Sequence, residues 1–361
     1  MHGGDVYRNK IHTDFSVNVN PLGIPEQVRE ALTDAVARVQ TYPDERCEEL
    51  RGKLAKRYGI KAENILCGNG ASELINAICS WKRPKKALLL APGFSGYARA
   101  LRAQGCRITH LYLRKDEEFA LSGGMADKLR DAIKSGAYDL FFLANPANPT
   151  GKLTDLETMR MIAGICREAG TVLVVDECFM ELTSEPENYG MTGDVLEYGN
   201  VLVLRAFTKS FAIPGIRLGY LLCGDKEIAG KIAMQLPEWN VSVLAQAAGM
   251  ASLEQEGYLS ASKVFVKTQR EFLEKGLRKL GAKVIQSDAN FILFLWKDEA
   301  LYDQLLERGF LIRDCSDYEG LGKGYYRIAV KNRMENETLL QAMEAIRESQ
   351  EKDSRKKGKK E

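Results

Sequence analysis

Residues 205–220, R-A-F-T-K-S-F-A-I-P-G-I-R-L-G-Y, set Lys209 among apolar neighbours just ahead of Pro214-Gly215, with Arg217 following. On its own, a lysine beside Phe and Thr reads as a charged head on a packed stem. Three other stretches change that reading. L-C-G-N-G-A-S-E-L-I, 66–75, ends one presumed strand and opens a helix. Gly68 and Gly70 allow close backbone approach there, and Ala71 and Ser72 stand at a helix N-terminus that can hold an anion. F-L-A-N-P-A-N-P-T-G, 142–151, ends another strand in two Asn-Pro turns and presents Asn148, and V-V-D-E-C-F, 174–179, ends a third on Asp176. An amine for a Schiff base, a carboxylate to keep a pyridine nitrogen protonated, a polar donor for a phenolic oxygen and a phosphate cup are together the parts that a pyridoxal phosphate site requires. Nucleotide readings lose ground, because there is no G-x-x-x-x-G-K-[ST] and no G-x-G-x-x-G in the first βα turn.

The elements that must position these residues follow from two alternating periodicities between about 46 and 224. R-C-E-E-L-R-G-K-L-A-K-R-Y-G, A-S-E-L-I-N-A-I-C-S-W and D-L-E-T-M-R-M-I-A-G-I-C-R-E-A-G carry apolar residues at helical spacing. K-A-L-L-L-A-P, I-T-H-L-Y-L, D-L-F-F-L-A-N-P, T-V-L-V-V-D-E-C-F and V-L-V-L-R-A-F are short apolar runs. Strands buried on both faces and separated by helices predict an α/β domain with a mainly parallel sheet, whose ligands bind at strand C-termini. Beyond 241 the pattern changes to a long helical stretch, then K-V-I-Q-S-D-A-N-F-I-L-F-L-W, G-F-L-I-R-D-C and Y-Y-R-I-A-V-K, then a helix around 335–349, which predicts a smaller α+β domain. The expected divisions are an N-terminal arm and helix at 1–40 packed on the small domain, a large cofactor-binding domain at 41–240, the small domain at 241–349 and a charged, disordered tail at 350–361.

With 361 residues, 45% of them hydrophobic and 28% charged, the chain has the composition of a globular protein with a substantial core. The net charge of +2 is unevenly placed: the tail Q-E-K-D-S-R-K-K-G-K-K-E carries +3, leaving the body near −1. No basic excess points to nucleic acid, and no apolar run reaches the roughly 18 residues of a membrane span. Eight cysteines are scattered without a C-x-x-C pair and read as reduced core thiols, neither disulfide framework nor metal site. A cytoplasmic location follows from the same features. His12 and His110 have no motif around them and are expected at the surface.

The order N-P-x-N-P-T-G, D-E-x-F, T-K-x-F and R-x-G resembles that of the fold type I pyridoxal-phosphate enzymes of the aminotransferase class I/II group, over essentially residues 2–349. The resemblance implies that Lys209 carries the cofactor as a Schiff base and moves a proton, and that Asp176 pairs with the pyridine N–H. It implies Asn148 on the ring oxygen, Phe94 against the ring face, and Gly70, Ala71, Ser72, Thr208 and Arg217 around the phosphate. Tyr42, in T-Y-P-D, would reach the phosphate of a neighbouring subunit, which implies a homodimer. Two positions depart from the pattern: Phe179 stands where many relatives carry a Tyr that bonds the ring oxygen, and Ala206 where a phosphate-binding Ser or Thr is frequent.

H-G-G at 2–4, D-F-S-V-N-V-N-P-L-G at 14–23 and the Phe at 179 resemble the threonine-phosphate decarboxylases of cobalamin biosynthesis more than the histidinol-phosphate aminotransferases. The resemblance implies a phosphoamino acid substrate held by His2, Gly3, Asn18, Asn148, Arg313 and Arg327, and loss of carbon dioxide to give 1-amino-2-propanol phosphate. An aminotransferase acting on histidinol phosphate or another amino acid is the alternative, and a noncatalytic protein that kept the fold is a third. The residues do not distinguish decarboxylation from transamination, nor threonine phosphate from serine phosphate.

Overall fold

The computed structural model describes residues 3–357; His2 and residues 358–361 lie outside the described residues. The strands are β1 (Thr13–Asp14), β2 (Ile65–Gly68), β3 (Lys86–Ala91), β4 (Arg107–Tyr112), β5 (Leu140–Ala144), β6 (Val172–Asp176) and β7 (Val201–Ala206). They continue with β8 (Gly219–Cys223), β9 (Lys283–Val284), β10 (Phe291–Leu295), β11 (Phe310–Leu311), β12 (Arg313–Asp314) and β13 (Tyr325–Ala329). Seven of them form one sheet in the order β2-β8-β7-β6-β5-β3-β4. The apolar runs fall on β3 to β7, which are mutually parallel, whereas β8 runs antiparallel to both its neighbours. Its run G-Y-L-L-C was not singled out as a strand in the sequence, yet it is buried throughout.

The direction of β8 decides where the loops meet. Because it opposes both β7 and β2, β2 runs the same way as β7, and the C-terminal ends of β2, β3, β5, β6 and β7 open on one edge of the sheet. That edge receives Gly70, Phe94, Asn148, Asp176 and Lys209 in turn. Arg217, just before β8, reaches the same edge from the N-terminal end of an opposed strand.

Helices lie where the periodicity placed them, at Glu48–Tyr58, Ala71–Lys82 and Leu156–Glu168. Their ends have local causes: Asp155 caps the third by accepting from Thr158 N at 2.8 Å, and Gly59 ends the first in the left-handed region at φ 65°. One apolar cluster on the sheet includes Leu88, Phe141, Leu173 and Val203, and the opposite face packs Leu89, Phe142, Val174 and Leu202 against the helix Ala71–Lys82.

The C-terminal segment forms a four-stranded antiparallel sheet, β12-β13-β10-β9, with helices Glu256–Lys279 and Arg333–Lys357 against it. The last helix runs to Lys357, past the expected limit at 349. β1 pairs in parallel with β11, and Phe15 N donates to Leu311 O at 2.7 Å, so the N-terminal arm is tied to the small sheet before the chain crosses to the large one. The following helix, Glu26–Ala35, packs on Val243–Ser252, and Val28 and Ala245 share a core with Leu50 and Leu54. His110, expected at the surface, is half-buried on β4, where burial lowers its imidazole pKa.

Immediately after Asp176 the chain is pinned by a buried ion pair. Glu177 Oε2 accepts from Arg205 Nε at 3.0 Å and Nη2 at 2.6 Å, and its Oε1 accepts from Met191 N. Both residues are buried. Glu177→Ala is expected to leave the buried guanidinium with only the more distant Glu181, 3.8 Å from Arg205 Nη1, and to destabilise the fold by about 3–5 kcal/mol, whereas replacing both Glu177 and Arg205 with methionine should recover most of the loss. Urea unfolding of the two variants checks this; equal losses in both would rule out the charge imbalance as the cause.

Candidate active site

The sheet edge and the small sheet enclose a cavity of about 240 Å³. Lys209 enters it from the short helix Phe207–Ser210 that begins directly after β7. Its ammonium lies 5.8 Å from the Phe179 ring centroid. Burial, reinforced by the charges of Arg327 and Arg217, lowers its pKa from 10.5 to about 8. A substantial fraction of the amine is therefore neutral near physiological pH, the state a nucleophile requires.

Asp176 ends β6 inside the same cavity. Its Oδ2 accepts from Tyr97 Oη at 2.6 Å and its Oδ1 from Cys178 N at 3.0 Å, so the carboxylate is held in one orientation with lone pairs to spare. Tyr97 is buried and stacked on Phe142 at 4.9 Å, and burial, with the Asp176 charge, pushes its phenol well above the usual value. It is thus a fixed donor. Phe94 meets Tyr97 edge-on at 5.3 Å and lines the cavity wall.

The two asparagines of N-P-A-N-P divide the work. Asn145 is fully buried and ties its own loop, accepting from Thr154 N at 2.9 Å and donating to Thr154 O and Tyr189 O. Asn148 faces the cavity and accepts from Arg327 Nη1 through Oδ1.

At the mouth of β2, Gly70 has φ +81°. A Cβ there would stand 2.5 Å from Arg217 Nη2, and one at Gly219 would stand 2.7 Å from Ala71 N. Only glycines let this guanidinium and this backbone come so close. The first-turn amides of Ala71 and Ser72 have no intrahelical acceptors, and Ala71, Ser72, Thr208 and Arg217 all line the cavity. Ala206 lines it too, without a hydroxyl to offer.

The small sheet supplies the opposite wall. Arg313 on β12 and Arg327 on β13 are register partners, both about 6% exposed. Arg313 Nη2 bonds both oxygens of Asp317, at 2.7 and 2.9 Å, and Arg327 Nη2 donates to Ser16 O at 3.0 Å. Gly3 and Asn18 come in from the arm. Asn18 Oδ1 and Arg327 Nε are buried and have no hydrogen-bond partner among the described residues. These orphaned atoms, the glycine cradle at Gly70 and the oriented carboxylate fit a ring nitrogen, a phosphate and an amino-acid ligand.

The sequence model of the family described as "Aminotransferase class I and II" matches residues 10–346. The chain belongs to the aminotransferase class I and II family. It is 33% identical to the threonine-phosphate decarboxylase of Salmonella typhimurium, covering 92% of this chain and 90% of that one. It is 32% identical to the adenosylcobalamin biosynthesis bifunctional protein CobDQ of Leptospira interrogans, over 92% of this chain and 38% of that longer one. Among solved structures, the histidinol-phosphate aminotransferase of Clostridium acetobutylicum superposes with a TM-score of 0.86 at 30% identity, covering 94% of this chain and all of that one. The cofactor that goes with this family and this site is pyridoxal 5′-phosphate.

Of the site residues singled out in the sequence, Gly70 backs the cavity behind Arg217 without lining it, and Tyr42 stands apart from it in the single chain. It is 78% exposed and packs on Trp239 at 4.6 Å. His2 lies outside the described residues. Sequence reasoning missed Ser16, Tyr97, Cys178 and Tyr318, all of which line the cavity. Tyr97 was legible in principle, one helical turn after Phe94 in G-F-S-G-Y; Tyr318 sits in a glycine-rich turn with no local signal.

In the cofactor-free protein, Lys209 is expected to titrate near pH 8, about where its burial places it. Competitive acetylation across pH, read by peptide mass, measures each lysine's midpoint regardless of its accessibility. A Lys209 midpoint near the 10.5 of a solvated lysine would overturn this picture of the site.

Proposed function

We propose that this chain decarboxylates O-phospho-L-threonine to (R)-1-amino-2-propanol phosphate, a step of cobalamin biosynthesis, with pyridoxal phosphate held on Lys209. The observation that carries the reading is the cross-strand pair Arg313 and Arg327, two buried guanidinia facing one cavity. Like charges directly opposite on a sheet destabilise it; Asp317 offsets part of that cost at Arg313, and a ligand with two anionic groups would offset more. The Salmonella relative's name states the same chemistry.

When bound, the cofactor supplies a conjugated cationic ring that accepts the electrons of a bond broken at the substrate α-carbon. The protein's residues do the rest. Asp176, held by Tyr97 and Cys178 N, keeps a proton on the ring nitrogen. The Ala71 and Ser72 amides, Thr208 and Arg217 would hold the phosphate, and Phe94 would meet the ring. Asn148 donates its amide to the ring oxygen, because its Oδ1 is committed to Arg327. Arg313, Arg327, Asn18 and Gly3, with His2, bind the substrate and fix which α-carbon bond is aligned to break. Lys209, with a pKa of about 8, both delivers and takes up a proton near neutrality.

The assembly is a homodimer in this reading. Val36, Val39 and Tyr42 leave apolar side chains exposed just beyond the helix Glu26–Ala35, and Trp239 joins Tyr42. This is the surface from which Tyr42 would reach the partner's phosphate. Eight free, buried cysteines support a reducing, cytoplasmic setting, and among the described residues no helix is long and apolar enough to cross a membrane.

The purified holoenzyme should release carbon dioxide from O-phospho-L-threonine and leave an amine that keeps its phosphate. Amino transfer to 2-oxoglutarate without carbon dioxide would replace this reading with the aminotransferase one. Arg313→Ala or Arg327→Ala should cost about 2–5 kcal/mol in kcat/KM, with lysine at either position recovering only part. Sedimentation should show a dimer, and mixing Lys209→Ala with Tyr42→Ala chains should restore turnover that neither has alone; a fully active monomer would contradict shared sites.

A further inference from the structure

Tyr318 stands between the two arginines. Its ring lies 5.1 Å from the Arg313 guanidinium, and its hydroxyl accepts from Arg327 Nη1 at 3.5 Å. The side chain is 6% exposed and lines the cavity. A guanidinium has donors only, so that contact leaves the tyrosine's own O–H hydrogen unused. Among the described residues this hydrogen has no acceptor. A buried donor left without an acceptor costs free energy, and this one belongs to a side chain that lines a cavity bordered by two arginines.

The backbone fixes the tyrosine in place. Tyr318 N donates to Cys315 O at 3.1 Å and Leu321 N to Tyr318 O at 3.1 Å, which closes the turn between β12 and β13. Burial raises the phenol pKa in spite of Arg327, so the hydroxyl remains a donor across the working pH range.

We propose that the Tyr318 hydroxyl donates a hydrogen bond to the substrate's phosphate and is the residue through which the site prefers phosphorylated amino acids to unphosphorylated ones. A planar carboxylate is satisfied by one guanidinium taken two-point. A tetrahedral phosphate presents acceptors in more directions and uses a third donor approaching between two arginines. The assignment rests on the phosphoamino acid reading above.

The experiment compares wild-type holoenzyme with Tyr318→Phe, which keeps the ring beneath Arg313 and removes only the hydroxyl. Inorganic phosphate and acetate are titrated separately, each followed by the change in the cofactor's visible absorbance. Steady-state kinetics are measured with O-phospho-L-threonine and L-threonine. The expected result is a phosphate Kd raised roughly 10-fold or more in Tyr318→Phe with acetate unchanged, and a matching fall in kcat/KM for the phosphorylated substrate alone, carried by KM. An unchanged phosphate Kd, or equal weakening of phosphate and acetate, overturns the proposal. If wild type binds phosphate but releases no carbon dioxide from O-phospho-L-threonine, the decarboxylase reading fails, and the phosphate and acetate titrations still decide the role of Tyr318.

Discussion

The site is organised around positive charge that the protein does not fully neutralise. Lys209, Arg217, Arg313 and Arg327 border one cavity, and Asp176 is the acid facing them, with Asp317 set against Arg313. The effect is visible on Lys209, whose pKa is lowered first by burial and then by Arg327 and Arg217. A sheet that places Arg313 and Arg327 as register partners would be weaker than one with neutral residues there. Neutral acceptors offset part of this: Asn148 Oδ1 and Ser16 O on Arg327, and Asp314 O on Arg313. What remains is a cavity bordered by more cationic than anionic side chains.

That constraint explains why two sheets are needed. The large sheet brings the amine, the carboxylate and the phosphate cup to one edge because β8 is reversed between β2 and β7. Its one arginine among the residues lining the cavity is Arg217. The small antiparallel sheet supplies the pair, and the arm joins the two parts: β1 is hydrogen-bonded to β11, Ala329 N donates to Phe15 O, and Asn20 Nδ2 then bonds Ser210 O and Ser262 Oγ beyond the cavity. The arm therefore carries Ser16 and Asn18 past the site as a strap between the two sheets.

Much of this was legible in the sequence, for physical reasons that also mark its limits. Strands β3 to β7 are buried on both faces and so read as apolar runs, and loops at their C-terminal ends announce themselves through Gly, Asn-Pro and a terminal Asp. β8 was passed over because its five residues follow directly on the chemistry-bearing R-L-G, where the turn rather than the strand draws the eye. Tyr97 and Tyr318 escaped because their roles come from the fold: one meets Asp176 across 79 residues, the other is wedged between strands that only register brings together. Tyr42 shows the opposite limit, since its motif was readable but its proposed destination is on another copy of the chain.

Phe179 is one of the two positions where the site departs from the pattern it resembles. Its ring packs edge-on against Phe291 at 5.0 Å and lies 5.8 Å from the Lys209 ammonium. Phe291 in turn underlies Arg327 at 5.4 Å. A hydroxyl at 179 would add a donor beside the lysine, which the phenyl ring lacks. Asn148 has a fixed orientation, because Arg327 offers only donors and must face its oxygen, which leaves the amide nitrogen free to donate. In the proposed function Arg327 would hold a substrate anion while setting the direction of the Asn148 amide, so that substrate charge and the cofactor's surroundings would be linked through a single side chain.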